Sequence, residues 1–239
     1  MPILGSPMKQ ATSSGVLSST STIGDGTAED IMIKLDGNAL DYHIGLDDST
    51  DKLTIGKGAT LGTTTSMTFD SDGIILEPLQ PAFSTAIEGS GITNHSVWNG
   101  TGSVDDNTVT TPFDTELYDV NADFDNSNYI FTAPVTGMYA LSAAVRIDNV
   151  DASIGANGYI QPEIKTTNAR YFMGPHAVNT MTLGTDVDFL QFEIHVIDQM
   201  DAGDTAFVRS LQYLGTAQAD IGGDTSSGRN TWFCGRLIA

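Results

Sequence analysis

Between Ile31 and Leu76 the apolar segments are three to five residues long and most are bounded by Asp/Gly turns. Ile31-Met32-Ile33-Lys34-Leu35 ends at Asp36-Gly37-Asn38, and Tyr42-His43-Ile44-Gly45-Leu46 ends at Asp47-Asp48-Ser49-Thr50-Asp51. Lys52-Leu53-Thr54-Ile55-Gly56, Ser66-Met67-Thr68-Phe69 and Ile74-Ile75-Leu76 follow, the last two separated by Asp70-Ser71-Asp72-Gly73. Alternation by two with turn residues about every ten positions is a strand and hairpin pattern. The acidic residues reinforce it, because twenty-four are Asp and six are Glu. Asp bonds its own neighbouring backbone and favours turns, whereas Glu favours helices. With 25 Gly among 239 residues, a mainly helical chain is excluded.

Charge narrows the partners. Ten Lys and Arg against thirty Asp and Glu leave a formal charge of −20, with no basic stripe to neutralise phosphates, so nucleic acid is not expected. Cys234 is the sole cysteine, which leaves no intrachain disulfide and no zinc site built on several cysteines. No stretch approaches the roughly 18 apolar residues of a membrane-spanning helix, so no membrane insertion is expected. The opening Met1–Lys9 carries neither a basic n-region nor an apolar h-region, so no secretory signal is expected.

Three segments are expected. Residues 1–30 are Ser/Thr/Gly-rich and cannot bury enough apolar surface to fold alone. They read as a disordered tail or as an extended attachment arm that orders on a larger assembly. Residues 31–80 hold the short strands, which make a poor core for a lone chain and read as a β shaft or collar stabilised by stacking. Pro78 and Pro81 mark a junction. Residues 81–239 read as one all-β sandwich, with strands at Asn128–Thr132, Met138–Ile147, Gly158–Lys165, Phe189–Ile197, Thr205–Tyr213 and Thr231–Ile238. In Phe189–Ile197, period two puts Leu190, Phe192, Ile194 and Val196 on one face and Gln191, Glu193 and His195 on the other.

One constellation here is specific. Phe113, Asp119, Phe124, Phe131, Gly137, Tyr139 and Leu141 follow the spacing F-x5-[ND]-x4-[FYWL]-x6-F-x5-G-x-Y-x-F, with Leu141 where the last Phe belongs. That spacing resembles the signature of the C1q/TNF-like jelly-roll family. Gly203 and Asp204, in Met200-Asp201-Ala202-Gly203-Asp204, resemble the family's turn before its penultimate strand. Phe233, Gly235 and Leu237, in Trp232–Ile238, resemble its last strand. The resemblance spans about residues 83–239 and implies a jelly-roll knob, a homotrimer and loops that recognise other molecules. None of these residues is reactive; the large ones suit a core. Gly137, between Thr136 and Met138, is expected to need a positive φ.

The run Asp36–Gly56 also resembles segments of tailed-bacteriophage structural proteins, where short β stretches precede a receptor-binding knob. The combined expectation is a bacteriophage virion protein: a trimeric head or tail fibre, joined to other virion proteins through its N-terminal arm, whose C1q-like knob attaches to a host surface glycan or protein. A capsid decoration protein with a stabilising role is the alternative, and a polysaccharide-degrading appendage is third.

No enzyme or cofactor pattern emerges. His43, His95, His176 and His195 lack zinc spacing, no G-x-S-x-G elbow occurs, and Gly56–Gly62 fits no phosphate-binding fingerprint. Carboxylate pairs for glycoside hydrolysis cannot be read from spacing in a β chain. Asp119–Asp123 offers D-x-N-x-D, but Phe124 replaces the Gly and Ile130 the Glu of an EF-hand. Asp47, Asp48 and Asp51, or Asp123 and Asp125, read as turn formers, with cation binding as the alternative. Two residues stand out for recognition. Trp98, in the expected exposed loop Gly89–Asn107, reads as rim packing or as a platform for a sugar ring. Arg229 reads as a contact for an acidic glycan or as the partner of an aspartate. Val150–Asn157, Met173–Asp186 and Gly215–Arg229 are the expected recognition loops.

Overall fold

The computed structural model describes residues 22–89, 91–92, 97–98, 108–150, 158–174, 176–177, 187–213, 219–224 and 228–239. All regular structure among them is β, and no helix is long and apolar enough to cross a membrane. The chain divides into two compact units, Met1–Glu77 and Pro78–Ala239.

The first unit is a single antiparallel meander of β1 (Ile31–Leu35), β2 (Tyr42–Asp47), β3 (Lys52–Lys57), β4 (Thr65–Phe69) and β5 (Ile75–Leu76), paired in chain order. The Asp/Gly turns make it. Asp70 Oδ1 accepts the backbone N–H groups of Asp72 (3.0 Å) and Ile74 (2.8 Å), and Asp51 and Gly73 supply positive φ. One face carries His43, Gly45, Thr54, Gly56 and Thr68, all buried beneath the 58–64 loop. Leu61 of that loop sits over Gly45, and His43 Nδ1 lies 3.0 Å from the carbonyl of Gly58. The other face carries Ile31, Ile33, Leu35, Ile44, Leu46, Leu53, Ile55 and Ile75, whereas Leu76 lies on the Thr68 side.

The second unit is a sandwich of two sheets, antiparallel throughout the described residues except for the short Val97–Trp98 strand. Its remaining strands are β6 (Ala82–Ala86), β7 (Val97–Trp98), β8 (Val109–Thr110), β9 (Thr115–Val120), β10 (Phe124–Asp125), β11 (Ile130–Thr132), β12 (Gly137–Val150), β13 (Tyr159–Thr166), β14 (Arg170–Phe172), β15 (His176–Ala177), β16 (Val187–Met200), β17 (Thr205–Tyr213), β18 (Asp220–Ile221) and β19 (Trp232–Leu237). One sheet runs β16-β12-β19-β6-β9, with β18 also on β12. The other runs β10-β11-β17-β13-β14, with β15 on β13 and β7 and β8 on β17. From β11 onward the long strands alternate between sheets, so hairpin neighbours in sequence face each other across the core. That is a jelly roll, and the expected all-β sandwich holds.

The core explains the motif. Phe83 stacks on Phe124 (5.3 Å between ring centroids) and on Phe131 (4.6 Å), and meets Phe233 edge-on at 4.9 Å. Phe113, Phe131, Tyr139, Leu141 and Phe233 are fully buried, Phe124 nearly so, and Leu237 packs against them. Gly235 lies under Phe83 and Leu141. Burial pushes the Tyr139 phenol pKa upward, and its hydroxyl donates to the carbonyl of Val135 at 2.8 Å.

Gly137 corrects one expectation. It is not among the residues of positive φ. A Cβ there would lie 2.5 Å from Leu237 Cδ1 and 2.6 Å from the carbonyl oxygen of Ala239. Close approach of the final strand, rather than backbone handedness, requires glycine. Gly203 does adopt φ of 94° in the β16–β17 turn. There Asp204 accepts the N–H of Asp201 at 2.8 Å and the Nδ2 of Asn168 at 2.9 Å.

Candidate functional site: the outer face of the sheet of β12, β16 and β19

Register across five strands builds one row. Tyr118 on β9 pairs with Ser84 on β6, Ser84 with Cys234 on β19, Cys234 with Ser142 on β12, and Ser142 with His195 on β16. Paired residues share a face, and this is the face turned away from the core. The adjacent row is Val120, Ala82, Arg236, Ala140 and Ile197. Small side chains thus occupy much of β6, β19 and β12, leaving a shallow depression lined by Tyr118, Ala140, Ser142, Cys234, Gly235 and Arg236. Larger groups stand at its margins: Tyr118 is 52% exposed and Ile197 57%. A depression of Ala, Ser and Cys that also holds the exposed Arg236, with Tyr118 and Ile197 beside it, suits apposition of another protein surface that supplies an acceptor for the guanidinium.

The chemistry of the row is quiet. His195 Nδ1 lies 2.9 Å from Ser142 Oγ, on open sheet rather than in a cleft, and no third group orients the ring among the described residues. Burial raises the Cys234 thiol pKa, which disfavours the thiolate. Among the described residues no group of three or more His, Cys, Asp and Glu side chains is placed to hold a metal.

Asp119 works locally. Its carboxylate accepts the N–H of Asp123 (3.1 Å) and of Phe124 (2.8 Å), closing a turn in which Asn121 and Ala122 have positive φ. Desolvation, with Asp119 nearby, raises the Asp123 carboxyl pKa. Asp125 accepts from Ser127 and Asn128, which lowers its pKa to about 2. Asp47 likewise accepts from Ser49 Oγ at 2.7 Å, and its pKa is lowered. These carboxylates hold turns.

The expected recognition residues are dispersed. Trp98 belongs by its backbone to β7, which lies parallel to β17 with Trp98 opposite Tyr213. Ile92 bridges to Ile221, so Gly89–Asn107 is tied to the sheets at both places rather than being one free loop. Arg229 Nη2 donates to Glu88 Oε1 at 3.0 Å, both groups half exposed. Its partner is thus a glutamate, not an aspartate.

The three expected loops are corrected at their ends. Val150 is buried at the end of β12. Met173 is buried, and His176–Ala177 pairs with β13. Asp220–Ile221 pairs with β12, with Ile221 fully buried. Strand registers rather than loop composition bring these segments into the fold. Residues 151–157, 175, 178–186, 214–218 and 225–227 lie outside the described residues.

A buried charge cluster was not anticipated. Glu163 on β13 is flanked by Arg209 on β17 and Arg170 on β14; Arg170 Nη2 donates to Glu163 Oε2 at 2.9 Å, and Arg209 Nε donates to Oε1. Glu163 and Arg209 are almost wholly buried. Little in the sequence signals it, since period two places Glu163 beside Gln161 and Lys165 on the polar side of Tyr159–Thr166.

No family model matches the chain, and no curated protein matches it. Solved structures similar to it include the globular domain of zebrafish complement 1qA protein, at 14% identity over 67% of this chain and 98% of that one, with a TM-score of 0.43. Murine APRIL is similar at 10% identity, over 66% and 99% of the two chains, with a TM-score of 0.40. Eiger TNF from S. frugiperda is similar at 13% identity, over 67% and 94%, with a TM-score of 0.39. The jelly-roll assignment rests on the strand order and register above.

Proposed function

We propose that the chain is a non-enzymatic virion protein of a bacteriophage, a homotrimeric fibre whose jelly roll is the knob. The carrying observation is the outer face of the sheet of β12, β16 and β19. Its centre of Ala82, Ser84, Ala140, Ser142 and Cys234 around Arg236, with Tyr118 and Ile197 at the margins, offers approachable sheet and one cation to another copy. The C1q/TNF-like spacing in the sequence supports three copies around an axis. Residues 1–30 serve as the arm that joins other virion proteins, and the knob's loops meet a host surface glycan or protein. The phage setting is supported by the order of the parts: Ser/Thr-rich arm, short-strand meander, jelly roll.

Light scattering tests the assembly. The expected mass is three times that of the 25.3 kDa chain, and Ser142→Arg, which fills the depression with a long side chain and sets a second positive charge beside Arg236, should reduce it to one. A monomeric native chain would overturn the reading. Binding of the purified trimer to host cells separates attachment from decoration. A trimer that binds no host, on particles that infect normally without it but lose head stability, is a decoration protein.

A further inference from the structure

The first unit presents a second surface that the jelly-roll contact does not use. Cross-strand register aligns Ile31, Leu46, Leu53, Phe69 and Ile75 in one row and Ile33, Ile44, Ile55 and Met67 in the next, with Leu35 and Tyr42 beyond. All lie on the face opposite His43, Thr54 and Thr68. Lys57, opposite Tyr42, is the one charged residue in these rows and stands at their margin. Ile33, Leu35, Tyr42, Ile44, Leu46, Leu53 and Ile75 are each 40% to 55% exposed. Ile23 joins Ile31, Ile33, Ile44, Leu46 and Leu53 around an apolar groove on this face. The arrangement is inverted relative to an ordinary half-buried sheet: among the described residues the 58–64 loop lies over His43, Gly45 and Gly56 on the polar face, while most of the apolar face stays exposed.

We propose that this face packs against the same face of the other copies in the trimer, forming a shared apolar core that no single chain contains. The proposal rests on the trimeric reading above and adds a second, separate contact to it. Three considerations select a copy of the same chain as the occupant.

The first is obligation. A single sheet of short strands with a bare apolar face lacks independent stability, so the cover must be present whenever the chain folds. Another copy meets that condition without a further gene product.

The second is area. Five strands about 4.8 Å apart and about five residues long span on the order of 400 Å². That is roughly half of the ~800 Å² per partner in a standard interface. The face is too small to hold a separate protein firmly. It suffices between copies already tethered through their jelly rolls, where the effective concentration is high.

The third concerns the chain's own opening segment. Ile23 reaches the edge of the groove, but the apolar residues before it, Ile3, Leu4, Met8, Val16 and Leu17, are scattered without the alternation that would match two parallel rows.

The test uses the full chain with Cys234→Ser and a single new thiol, Ile44→Cys in the centre of the face or Thr63→Cys in the exposed loop on the opposite side. Leu46→Cys serves in place of Ile44→Cys if that variant misfolds. With the face buried between copies, the Ile44→Cys thiol should react with a maleimide at least about tenfold more slowly than the Thr63→Cys thiol. A short bismaleimide should link Ile44→Cys chains into covalent pairs and leave Thr63→Cys chains single.

Equal reactivity and no linked pairs, in a protein of trimeric mass, would overturn this proposal and leave the jelly-roll trimer standing. A monomeric mass for the unsubstituted chain would remove the trimer itself. Protection of Ile44→Cys that disappears when residues 1–21 are deleted would assign the cover to the arm and overturn the proposal in that way.

Discussion

The two units of this chain treat the same kind of strand in opposite ways. In Pro78–Ala239 the apolar side of each sheet faces the apolar side of the other, so Phe83 on β6 meets Phe131 on β11 and Phe233 on β19. In Met1–Glu77 the apolar rows are met at one edge by Ile23 and otherwise stay largely exposed among the described residues, with Leu46, Leu53 and Ile75 at 46%, 41% and 54%. Both halves obey the period-two rule. What differs is whether the chain supplies a second layer, and a sheet without one is an instruction for assembly rather than a finished fold.

Substitutions can break that contrast at several strengths. The largest effect is expected from Phe83→Ala, which empties the centre of the aromatic cluster. A loss of about 3–5 kcal/mol should appear in denaturant unfolding of the second unit, with the meander's own unfolding signal unmoved. A shift of both together would mean that the units unfold as one.

Glu163→Gln follows. It removes the carboxylate charge shared by Arg170 and the buried Arg209, at a cost of about 3 kcal/mol. Replacing Glu163 and both arginines with apolar residues of similar size should recover most of that loss. Failure to recover it would show that the cluster does more than satisfy its own charges.

Gly137→Ala probes the close approach of the last strand to β12. The added Cβ must displace Leu237 and the terminal backbone, for an expected loss of about 1–3 kcal/mol. A neutral outcome in thermal unfolding would mean that the end of the chain shifts freely.

The smallest effect concerns pH. The hydrogen bonds from Ser127 and Asn128 hold the Asp125 pKa at about 2, below its unfolded value. A depressed folded-state pKa stabilises the fold above the unfolded pKa of about 4 and loses that contribution as pH falls toward 2. Asp125→Asn should therefore flatten the stability profile of the second unit between about pH 4 and 2. An unchanged slope would remove Asp125 from that titration. Because the group is exposed, other carboxylates should dominate the whole profile.

Much of the secondary structure was legible from short-range pattern. Ile31–Leu35 and Thr205–Tyr213 were read to the residue, because alternation and bounding turns are both local. Ala82–Ala86 and Thr115–Val120 were not read. Their Ala, Ser, Thr and Glu residues carry no apolar alternation, and they are strands because each finds a partner, β6 on β19 and β9 on β6. The C1q/TNF-like spacing was legible too, since it records which large side chains must meet at the centre of a jelly roll.

The rest belonged to tertiary structure. Gly137 was recognisably special in the sequence, but the reason lay in Leu237 and Ala239, a hundred residues downstream. The row Tyr118–Ser84–Cys234–Ser142–His195 depends on four registers at once, and a one-residue slip in any of them would turn that strand's side chains to the other face. Arg229 found Glu88, and Glu163 found Arg209, by the same long-range pairing. The sequence by itself determined where strands run and stop, because alternation and turn chemistry act over a few residues. Which faces meet, which charges pair and which apolar surface stays bare were decided by strand order and register, which couple residues far apart in the chain.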